Sequence, residues 1–413
     1  MEKNLKILVV DDAVTYRQIL SKILSGFEDV ELVGTASNGK IALSKIESKQ
    51  PDLILLDVVM PEMDGLETLE QIRKRYSHID VIMISGMDQE NANHTFKALS
   101  AGALDFIPKS HGTSADKSMM ELKNTLSRLI QMSKTRKYSR QARGLSSVQV
   151  SDLNPQRKPT ITPDPYKPVE KLLIQVSDMN RQRPEIPLYK PFFIPSVPPD
   201  EKNLSAEIKQ YPRKKADRID VVVIGVSTGG PNALQEIIPK IEKDFPVPIL
   251  AVQHMPPMFT ASLAARLNNI SEIKVVEGED KQIIEKGIMY IAPGGRHMVV
   301  RKDKYYSVSI GLTDSPPVNS CRPSVDVLLR SVAMTYGGNV LTVILTGMGN
   351  DGVAGVAAIR RKGGYSIVQD EKTSLIWGMP GAVVAANQAD GISPIDRMAS
   401  KIMDIVRKGY FYA

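Results

Sequence analysis

Two short segments carry residue types that can do chemistry. Near the N-terminus, ILVVDD ends in Asp11 and Asp12. In the second half, VVVIGVSTGG sets Ser227 in a G-x-S-x-G frame. Paired carboxylates at a strand end form a hard-oxygen cup for a divalent cation. A serine on a tight strand-to-helix turn, with glycines around it and Pro231 opening the helix, is presented as an exposed nucleophile. Together they describe an acidic switch module joined to a serine hydrolase.

The acidic set extends along the first third of the chain. Asp57 ends LILLD, Ser85 ends VIMIS and Lys109 follows DFIP. In a parallel sheet these positions converge on one rim, at the carboxyl ends of the strands. Clustered carboxylates bind Mg2+, and the metal and the Lys109 ammonium neutralise an incoming phosphoryl group. The Asp57 carboxylate is then the nucleophile that forms an acyl phosphate. Asp12 alone reads equally well as a helix cap. The joint placement at four strand ends carries the reading.

The serine frame alone is weak, being compatible with a glycine-rich phosphate loop or an ordinary βα turn. A dinucleotide site is disfavoured because the second fingerprint glycine is missing. The next strand also ends in Gln253-His254 instead of an acid. His254 stands where a general base belongs. Asp351, between glycines in TGMGNDG, can orient a histidine and stabilise its imidazolium, or cap the helix VAGVAAIRRK. The order Ser, His, Asp differs from that of α/β-hydrolases, so that fold is not assigned. The single cysteine, Cys321, makes a Cys-His hydrolase a formal alternative. It is set aside because no base is expected beside its loop.

Three regions must position these residues. Residues 1–133 alternate five apolar strand runs (LKILVV, VELVG, DLILLD, DVIMIS, ALDFI) with helix-like stretches, which predicts a parallel sheet covered on both faces. Residues 134–217 hold 12 of the 27 prolines and many polar and basic residues, composition that cannot offset ordering entropy. They read as a flexible linker with an internal echo, QVSDLNPQR at 149–157 and QVSDMNRQR at 175–183. Residues 218–413 return to alternation and predict a second α/β domain. Its strands are IDVVVIG, VPILAVQHM, GIMYIAP, NVLTVILTGM and YSIVQD; PNALQEIIPKI, PSVDVLLRSVAMTY and VAGVAAIRRK are its helices.

Bulk properties bound the rest. The chain has 413 residues, 42% hydrophobic and 24% charged. One cysteine excludes an internal disulfide framework and a multi-cysteine zinc site. The N-terminus lacks the pattern of a signal peptide and no apolar stretch is long enough to span a bilayer, so a cytoplasmic protein is expected. The net charge of +7 sits largely in the polar middle, at Arg136, Lys137, Arg140, Arg143, Arg213, Lys214 and Lys215. With no zinc-finger spacing, RNA-binding aromatic signature or helix-turn-helix, nucleic acid is not expected as a partner.

The first region resembles the receiver domain of two-component response regulators, on Asp11-Asp12, Asp57 with MP and DG behind it, Ser85-Gly86 and Lys109. The resemblance implies a flavodoxin-like (βα)5 fold and phosphorylation of Asp57 by a histidine kinase. Mg2+ would be held by Asp11, Asp12, Asp57 and Val59. Ser85 and Lys109 would engage the phosphate, and Phe106 would be the switching aromatic. One departure is Ser110, where receivers usually have a cis-proline. A cis bond without proline costs ~2.5–4 kcal/mol, so the loop is either trans or strained.

The last region resembles the catalytic half of the chemotaxis protein-glutamate methylesterases (CheB), on IGVSTGG, VQHMPP, IAPGGRHM, RPSVDVLLRS, LTGMGNDG and SLIWGMPGAV. The resemblance implies a doubly wound, mostly parallel α/β/α domain. It carries a catalytic triad onto Ser227, His254 and Asp351, with the Met348 N–H in the oxyanion hole and support from Thr228 and His297. It implies demethylation, and deamidation, of chemoreceptor side chains during chemotactic adaptation. No cofactor is expected in this half, and a monomer is favoured. A linker this long weakens the case for tight packing of the halves. Two other classes remain beside this reading: a phospho-switched docking protein without catalysis, and a DNA-binding response regulator.

Overall fold

The computed structural model describes residues 4–109, 115–142 and 217–408. The internal echo and the peptide bond between Lys109 and Ser110 lie outside the described residues.

The N-terminal part runs β1 (Leu5–Val10), α1 (Val14–Leu24), β2 (Val30–Ala36), α2 (Gly39–Lys49), β3 (Leu53–Asp57), α3 (Gly65–Arg75), β4 (Asp80–Ser85), α4 (Gln89–Ser100), β5 (Asp105–Pro108) and α5 (Ala115–Ala142). Its five strands are parallel in the order β2-β1-β3-β4-β5. Every residue of β3 and β4 is buried, as expected where helices cover both faces. Side chains of Asn38, Asp64 and Asp88 accept from the first free N–H groups of α2, α3 and α4, and Asp64 and Glu67 close a capping box. The strand order reverses between β1 and β3, and the crevice there receives Asp11 and Asp57.

The sequence reading ends this region at residue 133, but α5 continues to Ala142. Arg136, Lys137 and Arg140 have carboxylate partners and are not linker charges. Arg136 and Arg140 pair with Asp80 at 3.3 and 2.7 Å, and Lys137 pairs with Asp52 at 2.8 Å.

The C-terminal part begins with β6 (Val221–Val226), α6 (Gly230–Ile237), β7 (Ile249–Gln253), α7 (Phe259–Ile270), β8 (Lys274–Glu277) and β9 (Ile288–Ile291). It continues with β10 (His297–Lys302), β11 (Val308–Thr313), α8 (Val325–Tyr336), β12 (Val340–Ile344), α9 (Val353–Arg361), β13 (Tyr365–Gln369), α10 (Met379–Ala385), β14 (Gly391–Ser393) and α11 (Ile395–Lys408). Seven strands form a wholly parallel sheet in the order β14-β13-β12-β6-β7-β9-β8, and β10 and β11 make a separate antiparallel hairpin. The five expected strands are present. Short β8 and β14, the hairpin, and helices α7, α10 and α11 are additions. The helix expected over PNALQEIIPKI stops at Ile237 and tightens into a 3-10 turn over Ile238–Lys240, where Pro239 has no N–H to give.

The two parts belong to one compact unit, despite the long intervening segment. Helix α4 packs on α6 and α7. Phe106 stacks on Phe259 with centroids 4.6 Å apart at 19°. Ser100 Oγ donates to Gln235 Oε1 at 3.0 Å, Arg266 donates to Ser100 Oγ, and Asn232 donates to the Ala103 carbonyl at 3.4 Å. Among the described residues no helix is long and apolar enough to cross a membrane.

Candidate active site and phospho-acceptor site

At the crevice between β1 and β3 the sequence-predicted acids and Lys109 come together. Ligand atoms of Asp11, Asp12 and Asp57 lie within 4.8 Å of one another. Lys109 Nζ reaches Asp57 Oδ2 at 2.7 Å and Asp11 Oδ2 at 2.9 Å. Burial drives the Asp57 pKa up to about 6; the Lys109 hydrogen bond opposes this, and the Asp11 and Asp12 charges add to it. An all-oxygen set holding two buried carboxylates fits a hard divalent cation. Asp11 Oδ2 is buried with Lys109 Nζ at 2.9 Å as its neighbour, so a bound cation would share this oxygen with the ammonium. Val59 is exposed and apolar, so only its backbone carbonyl can contribute. Ser85 is fully buried and accepts from Thr95 Oγ1 at 2.7 Å.

Ser227, His254 and Asp351 follow neighbouring strands of the larger sheet. The turn carrying Ser227 follows β6 at its centre. His254 follows β7 on one side, and the loop ending in Asp351 follows β12 on the other. Gly229 holds the serine turn with φ +75, and a Cβ there would meet Leu375 at 2.7 Å. Gln253 Nε2 anchors the turn through the Ser227 carbonyl at 2.9 Å.

His254 Nε2 bonds Asp351 Oδ2 at 2.8 Å. Asp351 does not cap α9, whose N-cap is Gly352. Its buried carboxylate sits at the start of α8 instead, accepting from Ser324 Oγ, Val325 N and Asp326 N at 2.8, 2.7 and 3.1 Å, and from Asn319 Nδ2 at 2.9 Å. Burial alone would raise its pKa. The hydrogen bond and charge of His254, with the Asn319 and Val325 donors, bring it down to about 2. Burial by contrast lowers the pKa of His254, but Asp351 and Cys321 outweigh it and push the imidazole up to about 9.

The remaining nitrogen, Nδ1, does not bond Ser227 among the described residues. Its neighbour is Cys321 Sγ at 3.5 Å. The expectation that Cys321 has no base beside it is therefore wrong: its loop folds back across 67 residues of sequence onto His254. A cavity of about 400 Å³ is lined by Ser227, Thr228, His254, Cys321, Met348 and Asp351, and also by receiver residues. Those include Asp105, Phe106 and Pro108 at β5, and Thr125, Arg128 and Leu129 on α5. The backbone N–H groups of Thr228 and Met348 have no acceptor among the described residues. His297 lies outside this lining; fully buried, it bonds the Pro316 carbonyl at 3.1 Å and supports the loop leading to Cys321.

Sequence reasoning missed Asn319, Ser324 and Asp326. Asp326 accepts from Gly352 N, Gly355 N and Asn319 Nδ2 at 3.1, 2.6 and 3.0 Å and so fixes the loop bearing Asp351. The available signal was the acid in RPSVD, directly ahead of an apolar helix.

A parallel-sheet hydrolase with a serine beside a histidine–carboxylate pair, packed against a carboxylate-and-lysine acceptor module, is the class that fold and site define. Comparison with known proteins agrees. The profile of the CheB methylesterase family matches residues 222–402, and that of the response regulator receiver domain matches residues 7–119. A protein-glutamate methylesterase/protein-glutamine glutaminase of Trichodesmium erythraeum is 40% identical over 96% of this chain and 98% of its own. Its counterpart in Desulfotalea psychrophila is 38% identical over 98% and 99%. Among solved structures, the Thermotoga maritima CheB methylesterase catalytic domain is 42% identical, covering 46% of this chain and 99% of its own, with a TM-score of 0.45. The chain belongs to the protein-glutamate methylesterase/protein-glutamine glutaminase family, which joins a receiver to a carboxylic ester hydrolase.

Proposed function

We propose that the chain is a phosphorylation-gated cytoplasmic esterase that hydrolyses glutamate methyl esters on chemoreceptors, releasing methanol, and deamidates receptor glutamines. Ser227 Oγ attacks the side-chain carbonyl. His254 Nδ1, freed from Cys321, takes the serine proton and returns it to the leaving methanol or ammonia. Asp351 holds the ring by Nε2 and stabilises the imidazolium. The free N–H groups of Thr228 and Met348 receive the oxyanion, and water resolves the acyl-enzyme. The observation that carries this reading is the Asp351–His254 pair opening on the cavity that Ser227 and the two free N–H groups line.

The receiver supplies the gate. Receiver side chains form one wall of the cavity, which supports an unphosphorylated state that excludes substrate. A histidine kinase donates the phosphoryl group to Asp57. Mg2+, held by Asp11, Asp12, Asp57 and the Val59 carbonyl, supplies charge neutralisation when bound. Lys109 pairs with the phosphate, while Ser85 and Phe106 relay the change to the Phe259 face. We divide the chain into a receiver reaching Ala142, a linker, and a catalytic domain from about residue 218, acting as a monomer.

Methanol release from methylated receptor membranes tests this. Wild type should release methanol, faster with a small-molecule phosphodonor and Mg2+, and Ser227→Ala should not. Release that survives Ser227→Ala refutes the mechanism. Receptor binding with no release by wild type favours the docking protein.

A further inference from the structure

We propose that Cys321 Sγ and His254 Nδ1 form a site for a thiophilic divalent cation of the zinc type, whose binding switches the catalytic half off. The effect on turnover rests on the esterase reading above; the binding site itself does not.

The spacing fits. Sulfur and nitrogen ligands of tetrahedral zinc lie at ~2.3 and ~2.0–2.1 Å from the metal, which puts them ~3.5 Å apart. Sγ and Nδ1 are 3.5 Å apart. The ring is oriented as a ligating histidine should be, because its other nitrogen bonds a buried carboxylate, Asp351, at 2.8 Å. Asp351 is not itself available as a ligand, since four other donors fill its oxygens. Thiol, imidazole and carboxylate form one of two such clusters among the described residues. The cavity of about 400 Å³ in front of the pair leaves room for the last two coordination positions, filled by water or the Ser227 hydroxyl.

The two clusters divide the metals between them. Asp11, Asp12 and Asp57 offer only oxygen and suit Mg2+, whereas a thiolate and an imidazole suit zinc. On binding, every proton that Cys321 Sγ and His254 Nδ1 hold is released to solvent, and thiolate–metal and imidazole–metal bonds replace the Sγ···Nδ1 contact, with no change of oxidation state. Nδ1 is the nitrogen that must accept the serine proton, so an occupied site removes the base without touching the serine.

The test uses the full-length chain in Mg2+ buffer with Co2+ as the optical probe and Zn2+ as the inhibitor. Wild type should show a thiolate-to-cobalt charge-transfer band. Cys321→Ala and Cys321→Ser should lose it, while the catalytically dead Ser227→Ala should keep it. Zinc should depress methanol release by wild type. In both Cys321 variants, each scored against its own metal-free rate, the half-inhibiting concentration should rise by at least about tenfold, ~1.4 kcal/mol. No charge-transfer band in folded wild type, or equal zinc inhibition in the Cys321 variants, overturns the proposal. Absence of turnover in zinc-free wild type supplied with phosphodonor and Mg2+ would sink the esterase reading instead and leave the cobalt band to decide this one.

Discussion

Arg266 offers the sharpest test of the gate. From α7 its Nε donates to Gln235 Oε1 at 2.8 Å, and its terminal nitrogen crosses to Ser100 Oγ on α4. Arg266→Ala removes one cation-to-hydroxyl hydrogen bond from the seam and leaves the candidate triad untouched. Hydrogen bonds to charged groups contribute ~1.5–3 kcal/mol. Arg266 is half-buried, so solvent screening favours the lower end, ~1.5 kcal/mol. Only the closed state loses this bond, so the open fraction rises by up to about tenfold. Methanol release without phosphodonor should increase by that factor, while the rate with saturating phosphodonor stays within about twofold. Ser100→Ala, which also removes the bond to Gln235, should raise the basal rate at least as much. The double variant should add little to Ser100→Ala, which already removes both the Arg266 and the Gln235 bonds to the hydroxyl. A folded, phosphodonor-responsive Arg266→Ala protein whose basal rate is unchanged refutes the reasoning, since the seam would then not hold the cavity shut.

Other outcomes follow from the same geometry. Asp351→Asn should lower kcat by ~10³–10⁴ by releasing the His254 ring from its orientation; steady-state methanol release measures it, and a loss under tenfold contradicts the assignment. Gly347→Ala brings a Cβ within 2.7 Å of Ser227 Cβ and 2.6 Å of Met379 Sδ. A nucleophile displaced by ~1 Å costs about 10²-fold in turnover, and a near-wild-type rate argues against Ser227. His254 must be neutral to accept a proton and its pKa is raised to about 9, so kcat/KM in metal-free buffer should climb with pH toward 9. A limb centred at the ordinary imidazole value of ~6.5 contradicts the Asp351 and Cys321 contacts. Asp57→Asn should abolish stimulation by phosphodonor and preserve the basal rate; stimulation that persists points to a different acceptor.

The sites were legible where a buried strand ends in a polar residue. Asp11, Asp57, Ser85, Ser227 and His254 each close or follow an apolar run whose burial fixes its direction, so topology alone gathers them. Lys109 and Asp351 were found for the same reason. Asn319, Ser324, Asp326 and Cys321 were harder because they sit on or next to a loop between the hairpin and α8. Asp351, the partner of the first three, is 25–32 residues away in sequence and His254, the partner of Cys321, is 67 away, and no periodicity encodes such contacts. Helix α7 was missed because Met258, at φ +70, precedes it without a capping side chain. The end of α5 was misjudged although a signal existed: beyond residue 133 neither glycine nor proline occurs until Gly144.

The ring of His254 is turned so that Asp351 holds the nitrogen far from its own main chain. Proton delivery is therefore left to the nitrogen beside Cβ. A departing group must come close to the backbone after β7, where Met255, Pro256 and Pro257 follow the histidine. In the proposed mechanism, the proton thus leaves and returns on the side of the ring that Cys321 now occupies, for ester and amide alike.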